Sequence, residues 1–219
     1  MSINTNHVTD TQTPTTGNLN VNSSLTLPKT SGSGIKVDPA APTFGWCDLL
    51  GDITTRGAGA NDPTWATFVT NINAFQFGVN DECWITFHLP HDYAPGTNIF
   101  IHAHWAITTT STANVTWGFD ATYAKGFNQA LFPATINTTV VQAGSGVANQ
   151  HMIAETQLSV AGGSGTQLNT TNLEVDGLIL LRAYLSANAT GVDPFMFKCD
   201  VHYQSTGIAT KNKSPDFWA

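Results

Sequence analysis

Charge is scarce in this chain. Of its 219 residues 8 are Lys or Arg and 15 are Asp or Glu, so 11% are charged, against about 25% in an ordinary soluble protein. The basic residues are scattered, with Lys211 and Lys213 as the one close pair, and the formal net charge is −7. A general nucleic-acid binder is therefore not expected, because its affinity would come from clustered Lys and Arg. Cysteine is also rare. Cys47, Cys83 and Cys199 are an odd number without metal-type spacing, which fits buried thiols made in a reducing cytoplasm better than a disulfide framework. No apolar run is long enough to span a bilayer, so no membrane insertion is expected. Met1-Ser2-Ile3-Asn4-Thr5 lacks the basic start and apolar stretch of a secretory signal. A long 3.6-residue period is missing as well. Any helix should be short, with Tyr123 to Leu131 as its expected place.

What fills the space is Thr, Asn, Ser and Gly, residues that hydrogen-bond without charge and suit strands and tight turns. Two-residue alternation recurs from Phe44 onward. Val115, Trp117, Phe119, Ala121 and Tyr123 alternate with Thr116, Gly118, Asp120 and Thr122. The pattern predicts strands over 66–77, 83–89, 98–107, 114–123, 136–142, 151–160, 177–186 and 195–204, separated by Gly-rich turns. Leu178-Ile179-Leu180-Leu181 reads as a strand covered on both faces. So many short strands without an internal repeat predict an all-β fold: a jelly-roll-like two-sheet β-sandwich with an extended N-terminal arm. The domain reading is an arm over 1–42, a body over 43–210 and a C-terminal tail over 211–219.

The arm is amphipathic with nothing local to pack against. Leu19, Val21, Leu25 and Leu27 alternate with polar residues, and Ile35 and Val37 repeat the pattern after Ser31-Gly32-Ser33-Gly34. A lone strand is marginal in water, so this edge is expected to bury itself against another subunit or protein. The alternative is a return to its own body as an edge strand. Phe217 and Trp218 end the chain and would be an aggregation liability unless they dock, onto the body or onto a neighbour. These eight residues are the candidate interface.

The segment from Phe87 to Trp105 carries the clearest functional signal. It reads as a hairpin with Ile99, Ile101, Ala103, Trp105 and Ile107 on one face and Phe100, His102, His104 and Ala106 on the other. His88, His102 and His104 should share a side, and neutral imidazoles at two-residue spacing can hold a metal. Gly96, five residues and His102-Ala103-His104 resemble the opening half of the cupin metal motif. Thr108 and Thr109 stand where that motif has Glu, and its second half is missing. Histidines flanked by aromatics more commonly pack and hydrogen-bond, so no metal or cofactor is expected. His202 falls on the outward parity of its strand with Lys198, Asp200 and Gln204. The carboxylates are spread along turns and strand ends, no Ser sits in a nucleophile elbow, and no Gly-rich loop has the Lys of a phosphate cradle. Among six tryptophans a sugar-stacking platform is possible, although core and interface roles are commoner.

Several ordered motifs resemble a family of tailed-bacteriophage virion proteins over roughly Gly17 to the C-terminus. They are Pro42-Thr43-Phe44-Gly45-Trp46 with Asp48-Leu49, the Phe87–Trp105 block, Tyr123-Ala124-Lys125-Gly126-Phe127-Asn128-Gln129-Ala130 and Tyr203-Gln204-Ser205-Thr206-Gly207. Cys47 departs from the family pattern, which has a basic residue there. The resemblance implies a non-enzymatic structural protein outside the particle, of tail-fibre, head-fibre or capsid-decoration type, made in the host bacterial cytoplasm. It would be a homotrimer anchored to other virion proteins by its arm, with no catalytic residue carried over. Two alternatives stay open: a virion module binding host surface glycans, and a cupin-like metalloenzyme using the His88, His102 and His104 face.

Overall fold

The alternation of apolar and polar residues dictates two layers, and the computed structural model of the protein describes them over residues 45–57 and 59–218. The arm positions Leu19, Val21, Leu25, Leu27, Ile35 and Val37 lie outside the described residues. In chain order the strands are β1 (Gly45–Gly51), β2 (Thr64–Val69), β3 (Ile72–Gln76), β4 (Glu82–His88), β5 (Phe100–Ala106) and β6 (Asn114–Ala124). There follow β7 (Ile136–Ala143), β8 (Met152–Gln157), β9 (Ser159–Val160), β10 (Leu168–Asn169), β11 (Leu178–Asn188) and β12 (Phe195–Ser205). One 3-10 turn, Thr170–Asn172, is the only helical element among the described residues.

The first sheet has the order β2-β3-β12-β5-β8, and β1 pairs with β12 on the edge it shares with β3. The second sheet has the order β4-β11-β6-β7. All pairs in both are antiparallel. The chain passes between the layers at every step from β3 to β6 and again from β7 to β8, β8 to β11 and β11 to β12. The resulting sets β3-β12-β5-β8 and β4-β11-β6-β7 give the eight-stranded jelly roll. Between the layers Trp105, Trp117, Phe77, Phe87 and Phe119 are fully enclosed. Phe77 and Trp105 meet Trp117 edge-on at 5.5 and 6.4 Å. Each large apolar side chain buried this way contributes about 1.5–3 kcal/mol.

Four local expectations are corrected. Residues 66–77 form two strands, because Thr70 takes a left-handed conformation at φ 47° and turns the chain between β2 and β3. No helix forms over 123–131: Tyr123 and Ala124 complete β6, and turns follow. Leu178 and Leu180 are half exposed while Ile179 and Leu181 are buried, so this run faces the core on one side only. Most consequentially, Phe87–Trp105 is no hairpin. β4 pairs with β11 and β5 with β12 and β8, so the two strands belong to opposite layers. Alternating faces suit two facing sheets as well as one hairpin. The connecting loop is committed elsewhere: Tyr93 and Ala94 are fully buried, and the Ala94 N–H donates to the Gln204 carbonyl.

The C-terminal tail docks on its own body. Phe217 is buried against the rings of His91 and Phe127, with centroids 5.7 and 5.9 Å away, and Trp218 packs partly buried against the same core. Phe217 and Trp218 thus take the first of the two docking routes, onto the body.

Candidate functional site

Cross-strand register arranges the outer face of the β5-containing sheet in rows, since residues opposite one another in an antiparallel pair point the same way. One row joins Leu50, Asp200, His102 and Glu155 across β1, β12, β5 and β8. The next joins Asp48, His202, Phe100 and Gln157. On the other side Lys198 pairs with His104 and His104 with Ile153, while Trp46 lies opposite Gln204 at the far end. His151, just before β8, completes a group of four histidines and three carboxylates.

The group is tightly linked. His102 Nε2 is hydrogen-bonded to Glu155 Oε2. His104 Nε2 lies 3.1 Å from Asp200 Oδ1, and its Nδ1 lies 2.9 Å from His151 Nε2, the two rings stacking at 5.1 Å. His202 Nε2 contacts Asp48 Oδ1 at 2.5 Å, and its ring meets that of His102 at 3.7 Å. His102 and Asp200 are 2% and 3% exposed. Burial alone would raise the Asp200 carboxyl, but the His104 hydrogen bond and the charges of His104, His102 and His202 hold it below the usual carboxylate range. One atom is left over: His102 Nδ1 is buried without a hydrogen-bond partner, 3.6 Å from Asp200 Oδ1.

Beside this group Trp46 is 52% exposed, propped edge-on by Phe100 at 5.5 Å and flanked by His202 at 6.3 Å. Trp46, Phe100, Glu155 and His202 line a cleft of about 340 Å³. An indole held open by a second ring, next to a carboxylate and an imidazole, offers an apolar platform and hydrogen-bonding groups at its rim. A second exposed indole, Trp65, leans on Phe75 at 4.7 Å over a groove that includes Asp52 and Lys198.

The outer face of the opposite sheet is built differently. Glu82 is buried and paired with both Arg56 and Arg182, and Arg182 Nη1 donates to Asp120 Oδ2 at 2.7 Å. The guanidinium of Arg182 lies over Tyr184 at 4.3 Å and that of Arg56 over Trp84 at 4.9 Å. Burial alone would lower the Arg182 pKa, but hydrogen bonds and charges from Glu82 and Asp120 raise it.

Of the predicted metal candidates, the structure brings His102 and His104 together and places His88 on the opposite layer. There His88 Nε2 lies 3.0 Å from Asp176 Oδ1, a carboxylate shared with His91 at 3.0 Å. The trio His88, His102 and His104 is therefore corrected, because its shared side depended on the hairpin that does not form. Sequence reasoning missed Glu155 and His151 as partners. Their signal was parity on the 151–160 strand, which is informative only once β8 is known to pair with β5.

No family model matches the chain, and no curated protein does. Among solved structures the chain is similar to a xylan-binding module CBM15, at 10% identity and a TM-score of 0.31, over 78% of this chain and 97% of that one.

Proposed function

We propose that this protein is a non-enzymatic recognition component carried outside a tailed-phage particle, where its β-sandwich presents the Trp46 platform to host surface glycans. The observation that carries the glycan reading is the half-exposed Trp46, held edge-on by Phe100 above a cleft that also holds Glu155 and His202. A pyranose ring has an apolar C–H face and a rim of hydroxyls. The indole takes the face, and the carboxylate and imidazole bond the rim. The particle location rests on the sequence resemblance and on the low-charge surface, which suits dense packing among copies. In this reading residues 1–42 anchor a homotrimer to other virion proteins.

The test is binding of the full-length chain to an array of bacterial surface polysaccharides, followed by calorimetry on any positive. Trp46→Ala should weaken binding at least tenfold, while circular dichroism stays that of the parent. Absence of binding across the array, or binding indifferent to Trp46, overturns the glycan reading. The location is tested separately, by imaging intact particles and by deleting residues 1–40. Normal incorporation of that truncation overturns the anchor.

A further inference from the structure

Next to the Trp46 platform lies a constellation that the glycan reading does not use. We infer that His102, His104 and Asp200 form a binding site for a divalent transition-metal ion of the zinc type, clamping β5 to β12. The inference stands independently of glycan binding.

Three observations converge on it. The first is the spare nitrogen. His102 is a buried imidazole whose Nε2 is bonded to Glu155; in the tautomer with its proton on Nε2, the buried Nδ1 presents a lone pair and has no hydrogen-bond partner. A buried acceptor left unsatisfied keeps its full desolvation penalty, and a cation bound there would remove it.

The second is spacing. Asp200 Oδ1 lies 3.6 Å from His102 Nδ1 and 3.1 Å from His104 Nε2, and one donor atom of each of the three residues falls within 4.8 Å of the others. Ligand atoms bound to one tetrahedral zinc at about 2.0–2.1 Å sit about 3.3 Å apart. The two distances straddle that value, and the third, between the two imidazoles, stays within 4.8 Å, so an ion fits once the imidazoles close on it.

The third is support behind the ligands. Metal-bound imidazoles characteristically donate their other ring nitrogen to a carboxylate or another acceptor, which fixes the tautomer and aims the lone pair. His102 has Glu155 in that position, and His104 has His151 at 2.9 Å from its Nδ1. Two imidazoles and one carboxylate suit zinc, cobalt or iron, whereas calcium asks for six to eight oxygens.

A second triad, His102 with Glu155 and His202, has donors equally close. It would require the His102 nitrogen already bonded to Glu155 and would leave Nδ1 orphaned, and its Glu155 is exposed. The His104–Asp200 side is therefore the site assigned. A fourth position on the ion remains for water or a ligand oxygen.

The experiment uses tag-free full-length protein stripped with EDTA and titrated with Zn²⁺ by calorimetry and with Co²⁺ by visible absorption. One equivalent should bind, and the cobalt form should show the intense bands of a four-coordinate site. Asp200→Asn and His104→Gln, which preserve shape, should abolish stoichiometric uptake. His151→Ala and Glu155→Gln, which change the groups behind the ligands and leave the ligands in place, should lower zinc affinity about 10–100-fold. Glu155 also lines the Trp46 cleft, so His151→Ala is the variant that separates this site from glycan binding. Circular dichroism of each stripped variant checks that it is folded. Three results overturn the assignment: no stoichiometric uptake by the parent, uptake unchanged in both Asp200→Asn and His104→Gln, or uptake lost in His202→Ala but kept in His104→Gln.

Discussion

On the outer face of one sheet Glu82 is enclosed by two guanidinium groups, and on the outer face of the other Asp200 is enclosed by imidazoles. Both carboxylates are 3% exposed, yet the two environments do different work. Arginine is charged at any accessible pH and brings several donors in a fixed fork, so Glu82 and Asp120 are saturated and the network is closed. Histidine can be neutral and then has a lone pair to give. That face keeps an unsatisfied nitrogen at His102, a half-exposed indole at Trp46 and an open cleft. A groove of about 380 Å³ lined by Trp84, Asp120 and Arg182 lies on the arginine face as well, so the closed and open faces differ in the saturation of their polar groups and not in the presence of a cleft.

The largest expected effect breaks the closed face. Arg182→Ala leaves Glu82 buried with Arg56 alone and should cost about 3 kcal/mol, the low end for breaking a buried ion pair, read as a lower midpoint in urea. The next sharpens the contrast on the open face. At Zn²⁺ a hundredfold above its dissociation constant, the parent should gain about 2.7 kcal/mol in the same assay, and Asp200→Asn should gain nothing. Gly118→Ala then probes the closed face from beneath: the added Cβ would lie 2.2 Å from the ring of Tyr184. Displacing that ring removes its hydrogen bond from Asn137 and its stacking on Arg182. Overpacking of this kind should cost about 2 kcal/mol, with the loss visible as an upfield-shift change in the Tyr184 NMR signals.

The smallest effect concerns thiols and leaves stability unchanged. Burial pushes Cys83 up to about 12 and Cys199 well above the ordinary thiol value, whereas Cys47 on the edge strand β1 is partly exposed. In native buffer iodoacetamide should modify one thiol, Cys47, by mass spectrometry, and all three in denaturant. Modification of Cys83 or Cys199 in the native protein would show that the core opens more readily than its packing indicates.

Alternation made most of the architecture readable, because a strand's apolar parity survives whichever partner it finds. The inward sets Ile99–Ile107 and Val115–Tyr123 came through unchanged, as did the outward parity of His202, Asp200 and Lys198. Pairing was not readable. The Phe87–Trp105 block satisfies a hairpin and a two-layer crossing equally well, and the choice depends on β11 and β12, about a hundred residues later in the chain. The candidate site inherits that ambiguity. His102 and His104 announced themselves by spacing, but their partners Glu155, His151 and Asp200 come from strands whose register only the fold supplies. β1 was missed because Asp48 and Gly51 weaken its strand pattern, although register with β12 holds it along its whole length.

The position of β12 has a consequence for how the protein is born. This last strand is the central rail of its sheet, carrying β1 and β3 on one edge and β5 on the other. Likewise β4 and β6 meet only through β11. A nascent chain leaving the ribosome at about 5–20 residues per second can therefore pair β2 with β3, β6 with β7 and β5 with β8, but cannot join these pairs into sheets until β11 and β12 emerge. Products that stop before Phe195 should be captured by chaperones or degraded, because without β12 nothing joins β1 and β3 to β5.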